Sequence, residues 1–247
     1  MTLSKLLSIL FSIPKTVWFN VRYLPLRQAM RLPIWLHYSV CVKNCYRGGV
    51  RISEKRRVKS EESADARDIS CKRREECKVR PMMIRIGFHT VDMMNPRERT
   101  VISIRRGGTM TFLGEAHIGK GSKIAVNGGG KLVLGDNFAI SAATQINCYK
   151  GITFGRDIQF SWDCLVMDCD THSILDTEGR VTNEAREITF GDKIWIGCRC
   201  TIMKGTVIPS NSVIGACSFV SGSKFEENTI IVGHPAKSVK TIGGWHL

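Results

Sequence analysis

The chain has 247 residues, 43% hydrophobic and 23% charged, which excludes a disordered protein and fits one large domain with at most a small appendage. Lysine and arginine outnumber aspartate and glutamate by 36 to 22, a formal charge of +14, so an anionic partner competes with plain solubility as the reason for the excess. No apolar run approaches the roughly 18 residues that span a bilayer, and no zinc-finger spacing, basic helix or aromatic RNA-binding signature supports nucleic acid as that partner.

The first forty residues interleave apolar and basic side chains. Leu3, Leu6, Leu7 and Leu10 follow helical spacing, and Pro14 breaks the pattern. Two readings stand: a helix capping the main domain, or a basic, aromatic-bearing face touching a membrane surface. The apolar stretch ends at Pro14–Lys15 with no small-residue cleavage site after it, so it does not read as a secretory signal. Residues 53–80 carry many charges of both signs and few apolar groups, which predicts a solvated insertion. The ten cysteines include no C-x-x-C pair and read as reduced core fillers of a cytoplasmic protein.

From about residue 110 a six-residue period appears. Phe190, Ile196, Ile202, Ile208, Ile214 and Val220 are all apolar, and Gly191, Gly197 and Gly215 follow three of them. The frame recurs at Phe154, Phe160 and Val166 and at Ile118 and Ile124, and a shifted one covers Leu134, Ile140 and Ile146. This period fits neither an amphipathic helix nor an alternating strand. It fits an all-β solenoid of prism shape, with one aliphatic side chain per face on the axis and a small residue at each corner.

The chain resembles the bacterial hexapeptide-repeat acyltransferases over roughly Gly107 to Lys240. The residues that carry the resemblance are WIGCRCTIMKGTVIPSNSVIGACSFV from Trp195 to Val220, MDCDTH ending at His172, and GHPAK from Gly233 to Lys237. Within that group it is similar to sugar O-acetyltransferases of polysaccharide biosynthesis, including the maltose and galactoside type. The resemblance implies a left-handed parallel β-helix, acetyl-CoA as cosubstrate, a carbohydrate acceptor and a homotrimer with sites between neighbouring coils. The expected organisation is an N-terminal extension of mixed helix and irregular structure over 1–106, the β-helix over 107–240, and a tail over 241–247.

The regular frame stops after Val166 and resumes near Ile188, and the polar residues between predict a loop, about 168–187, protruding from the coil. His172 lies at its base. Acyl transfer from a thioester to a hydroxyl needs a base that titrates near neutrality, and histidine suits it. Related acetyltransferases have a histidine with this role in a corresponding loop. Asp168 or Asp170 would orient His172 or hold sugar hydroxyls, and the sequence does not choose between them. The resemblance also implies that Trp195 and Gly197 lie by the active site. It makes the amide of Cys198 an oxyanion donor, runs the cofactor past Gly205, Gly215 and Ala216, and puts Lys237 and Lys240 at its phosphates. No metal is expected, since His37, His89, His117, His234 and His246 show no ligand spacing beside His172. Alternatives are N-acylation of an amino sugar or nucleotide-linked sugar, and a non-catalytic scaffold. The protein is expected in the cytoplasm, with its N-terminus able to meet the inner face of the membrane.

Overall fold

The computed structural model describes residues 3–53, 79–88, 91, 95, 97–222 and 225–246. Apart from its ends, the charged stretch 53–80 lies outside the described residues. A helix, α1 (Leu3–Tyr23), and a short α2 (Leu26–Ala29) precede the first coil, β1 (Ile34–Leu36), β2 (Cys41–Lys43) and β3 (Val50–Ile52). The second coil is β4 (Ile84–Phe88), β5 (Val101–Ile104) and β6 (Thr109–Phe112); the third is β7 (Ala116–Gly119), β8 (Lys123–Val126) and β9 (Lys131–Leu134). The fourth is β10 (Phe138–Ala142), β11 (Gln145–Cys148) and β12 (Gly151–Phe154), and the fifth β13 (Ile158–Trp162), β14 (Leu165–Met167) and β15 (Ile188–Phe190). Then come β16 (Ile194–Ile196), β17 (Thr201–Met203) and β18 (Val207–Ile208), β19 (Val213–Ile214) and β20 (Phe219–Val220), and finally β21 (Thr229–Gly233) and β22 (Ala236–Thr241).

First, second and third strands of successive coils stack into three sheets, here A, B and C. Every strand pairing is parallel except β21 with β22, so the described strands form an all-β solenoid, a three-sided parallel β-helix. Register explains the six-residue period. Ile118, Ile140, Phe160, Ile196 and Ile214 form one buried column in sheet A, and Ile124, Ile146, Val166, Ile202 and Val220 another in sheet B. Phe154, Phe190 and Ile208 continue the column of sheet C, where the first two rings stack at 4.5 Å.

The two frames seen in sequence are one. Between sheets B and C the third and fourth coils insert extra residues, closed by turns such as Asn127–Gly130, and each insertion shifts the count. The loop bearing His172 is the longest member of that corner series.

Two expectations are corrected. The β-helix begins at Ile34 rather than near 107, because β1 pairs with β4 and β4 with β7 in unbroken parallel register. Long connections after β3 and β4 separate the apolar pairs of these coils and hide the period. The helix also does not end at Pro14 but runs through it. Pro14 stands on the exposed side, where water can meet the carbonyl its missing N–H leaves free, and side chains on both sides of it anchor the helix to β1.

Candidate active site

The loop between β14 and β15 is built, not slack. Its ends are drawn together by the Arg186 N–H donating to the Asp168 carbonyl at 3.0 Å. Its outer part is a narrow hairpin, with Leu175 bridged to Val181 and a turn closed by Asp176, which accepts from the Glu178 and Arg180 amides and pairs with the Arg180 guanidinium.

The base of the loop is pinned to the next coil. Lys204, just after β17, donates to Asp170 Oδ2 at 2.5 Å and to the Asn183 carbonyl at 2.7 Å. Asn183 Nδ2 donates to Asp170 and to the carbonyl of His172, both at 2.8 Å. The Lys204 ammonium first, and the Asn183 amide after it, hold the Asp170 carboxyl below its ordinary value. The pair is partly shielded, with side-chain exposures of 12% for Lys204 and 30% for Asp170. His172 is thereby fixed through its backbone, while its ring is exposed and makes no hydrogen bond among the described residues.

Neither Asp168 nor Asp170 hydrogen-bonds that ring among the described residues. Asp168 is fully buried and accepts from the backbone amides of Tyr149 (2.7 Å), Lys150 (2.8 Å) and Gly151 (2.8 Å), one coil earlier. It holds a turn. Asp170 is spent on Lys204 and Asn183. These last two were not among the sequence candidates, and only knowledge of the coil pitch brings Lys204 beside Asp170.

The other candidates lie along a different edge. Trp195 faces outward from β16, 44% exposed, with Nε1 donating to Ser161 Oγ at 3.3 Å and its ring 6.5 Å from Trp245. Gly197 and Cys198 follow at the corner between sheets A and B, and Gly215 and Ala216 occupy that corner in the next coil. The Cys198 amide donates no hydrogen bond among the described residues, while its carbonyl accepts from the Cys217 amide at 2.9 Å. Gly197 is demanded by the fold itself, for a Cβ there would lie 2.6 Å from the Ala216 nitrogen. Likewise a Cβ on Gly215 would meet the Val232 side chain at 2.4 Å, and Gly205 has φ +75° in a turn beside Arg186. Lys237 and Lys240 stand exposed on β22. Within one chain His172 and Cys198 are therefore on opposite borders of sheet B, about 15 Å of strand apart.

A hollow of about 520 Å³ lies on the outer face of sheet A, lined in part by Arg85, His117, Asn137 and Gln159. Burial, and then the Arg85 charge, push the His117 imidazole down to about 4, so this ring is neutral at pH 7. No group of three histidine, cysteine or carboxylate side chains able to hold a metal occurs among the described residues. All eight described cysteines are free thiols.

The described residues thus combine three-sided coils with a pinned loop that carries an exposed histidine. No family model matches the chain, while similar proteins bear acetyltransferase names. WbbJ of Escherichia coli K12, named as an O-acetyl transferase of lipopolysaccharide biosynthesis, is 29% identical over 146 residues, 56% of this chain and 74% of its own. The polysialic acid O-acetyltransferase of Escherichia coli O1:K1 is 30% identical over 123 residues, 49% of this chain but only 39% of its own. The crystal structure of the polysialic-acid-specific acetyltransferase NeuO has a TM-score of 0.47 at 20% identity, covering 87% of this chain and 79% of that one. In sequence the chain is thus similar to enzymes named as O-acetyltransferases of lipopolysaccharide and of polysialic acid.

Proposed function

We propose that the protein transfers an acetyl group from acetyl-CoA to a hydroxyl of a sugar or polysaccharide precursor, with His172 as general base. The observation that carries this reading is a histidine whose backbone is clamped and whose imidazole is left free, in a relative of named O-acetyltransferases. The acceptor oxygen attacks the thioester carbonyl carbon while the imidazole takes its proton. The C–S bond then breaks, and the thiolate recovers that proton from the imidazolium. The free Cys198 amide suits the transient oxyanion, a contact typically worth about 10²–10³ in turnover. The Cys198 thiol has no role.

The separation of His172 from Cys198 supports a homotrimer in which one solenoid supplies the histidine loop and its neighbour supplies the Trp195–Cys198 edge. Exposed Lys237 and Lys240 suit the phosphates of coenzyme A. Asn183, Asp170 and Lys204 are positioning residues that hold the loop.

The test is release of coenzyme A thiol with a panel of sugars and amino sugars. Hydroxyl-dependent release from acetyl-CoA is expected. Release only with amine acceptors overturns O-transfer, and release independent of every acceptor overturns the reading altogether.

A further inference from the structure

Beside the buried Phe19 and Tyr23, helix α1 turns the polar residues Ser12, Thr16 and Asn20 inward, where an ordinary surface helix would place apolar ones. The cause is the free edge of β1, whose outward backbone groups need partners. Ser12 Oγ accepts from the Tyr38 amide at 3.1 Å and Thr16 Oγ1 from the Leu36 amide at 3.0 Å. The Asn20 amide accepts from the Ile34 N–H at 3.2 Å and donates to the Ile34 carbonyl at 2.7 Å. Lys15 Nζ donates to the carbonyls of Tyr38 and Val40 at 2.6 and 2.7 Å. The spacing explains the fit: four helix residues advance about 6 Å, and two strand residues about 6.7 Å. Polar groups at every fourth helix position thus meet alternate residues of the strand.

The opposite face is then apolar and uncovered. Leu7, Leu10, Phe11, Val17, Trp18 and Val21 form one exposed stripe along the helix, with Phe11 at 65% and Leu10, Trp18 and Val21 between 50% and 52%. A stripe of this kind needs an apolar partner.

Charge selects which partner. Residues 1–53 contain eight lysines and arginines and no aspartate or glutamate. Beside the stripe, a hollow of about 460 Å³ is lined by Lys15, Trp18, Tyr38 and Arg99 among others. Neither Lys15 nor Arg99 has a carboxylate partner among the described residues. Partial burial holds the Lys15 ammonium below its ordinary value, with Cys41 opposing the shift and Arg99 adding to it. A second copy docked on this face would bring one acid-free segment against another. An anionic bilayer surface meets both demands, taking apolar side chains among its acyl chains and cations among its phosphates. Among the described residues no helix is long and apolar enough to cross a membrane, so the contact lies in the plane.

We propose that α1 is an in-plane docking helix for an anionic phospholipid surface, with its apolar stripe immersed and a lipid phosphate held in the hollow between Lys15 and Arg99. The test is flotation of the full chain with phosphatidylcholine vesicles carrying about 30% phosphatidylglycerol. Binding should rise with the anionic lipid and weaken with salt. The triple variant Leu10→Gln, Phe11→Gln, Val21→Gln should reduce the bound fraction at least tenfold, and Arg99→Gln should weaken binding, both with unchanged circular dichroism and sedimentation. Brominated lipid should quench Trp18 in the wild type and not in Trp18→Phe. Equal binding to pure phosphatidylcholine overturns the anionic surface. No vesicle binding, with self-association that the triple variant abolishes, assigns the stripe to a second copy and overturns the membrane.

Discussion

Asp168→Ala separates a turn-holding carboxylate from a catalytic one. The side chain accepts three backbone N–H groups at 2.7–2.8 Å, and a hydrogen bond to a charged acceptor is worth ~1.5–3 kcal/mol. The three are not equal. Tyr149 and Lys150 are exposed, so water can replace the lost carboxylate at their amides, while Gly151 is buried and its amide is left without a partner. Allowing about 1 kcal/mol for each wet amide and about 2–3 for the dry one, the variant should lose about 4–5 kcal/mol. Asp168→Asn keeps an acceptor for Tyr149 but turns an NH₂ toward Lys150 and Gly151, and should lose nearly as much. Urea denaturation followed by circular dichroism measures both. In single-turnover assays at a temperature where the variants stay folded, the chemical step should fall far less than in His172→Ala. A variant as stable as wild type but inactive would refute the turn-holding role and return Asp168 to the chemistry.

His172→Ala should lower turnover by about 10²–10⁴ with stability within about 0.5 kcal/mol of wild type, since the exposed ring has no partner to lose; kinetics beside a melt will show whether both hold. The Asp170 carboxyl titrates below its usual 3.8 in the folded chain. Its contribution is therefore fully present above that value and is lost as pH falls through the lowered one. Protease cleavage in the loop should stay constant from near neutrality down to about pH 5 and accelerate below pH 4, and Lys204→Met should show the fast cleavage at neutral pH. Gly197→Ala should cost about 1–3 kcal/mol by forcing coils apart at the Ala216 nitrogen, read by denaturation; a stable variant would mean that the glycine serves the ligand instead.

The β-helix from the third coil onward was legible because its inward positions carry bulky apolar residues six apart, and Ile202 and Ile208 lie on the axis as expected. What the sequence hid follows from geometry. Extra residues at the corner between sheets B and C shift the frame without breaking a column, so one repeat reads as two. Asp168 and the amides it holds are 17 to 19 residues apart in sequence, a distance that means contact only once the coil length is known. The same holds for Lys204 and Asp170. In α1 the leucine spacing was visible, but not that Ser12, Thr16 and Asn20 would join Phe19 and Tyr23 on the buried side. The polar side chains of Ser12, Thr16 and Asn20 were needed by a strand edge that sequence does not display. Asn211, an inconspicuous corner position in the repeat, has φ +56° and donates to Asn228 Oδ1, so it too has a structural task.

A stack of parallel strands has no intrinsic reason to stop, since each coil offers the next a full row of backbone groups. Here both ends of sheet A are occupied. Serine, threonine and asparagine side chains of α1 occupy the first strand of sheet A, and at the far end β22 reverses direction on β21 and sets Lys237, Ser238 and Lys240 toward solvent. Cutting the chain before β1 bares the backbone of Ile34, Leu36 and Tyr38 as a template for strands of other molecules. The helix that holds this end of sheet A thus also withholds that template from neighbouring molecules.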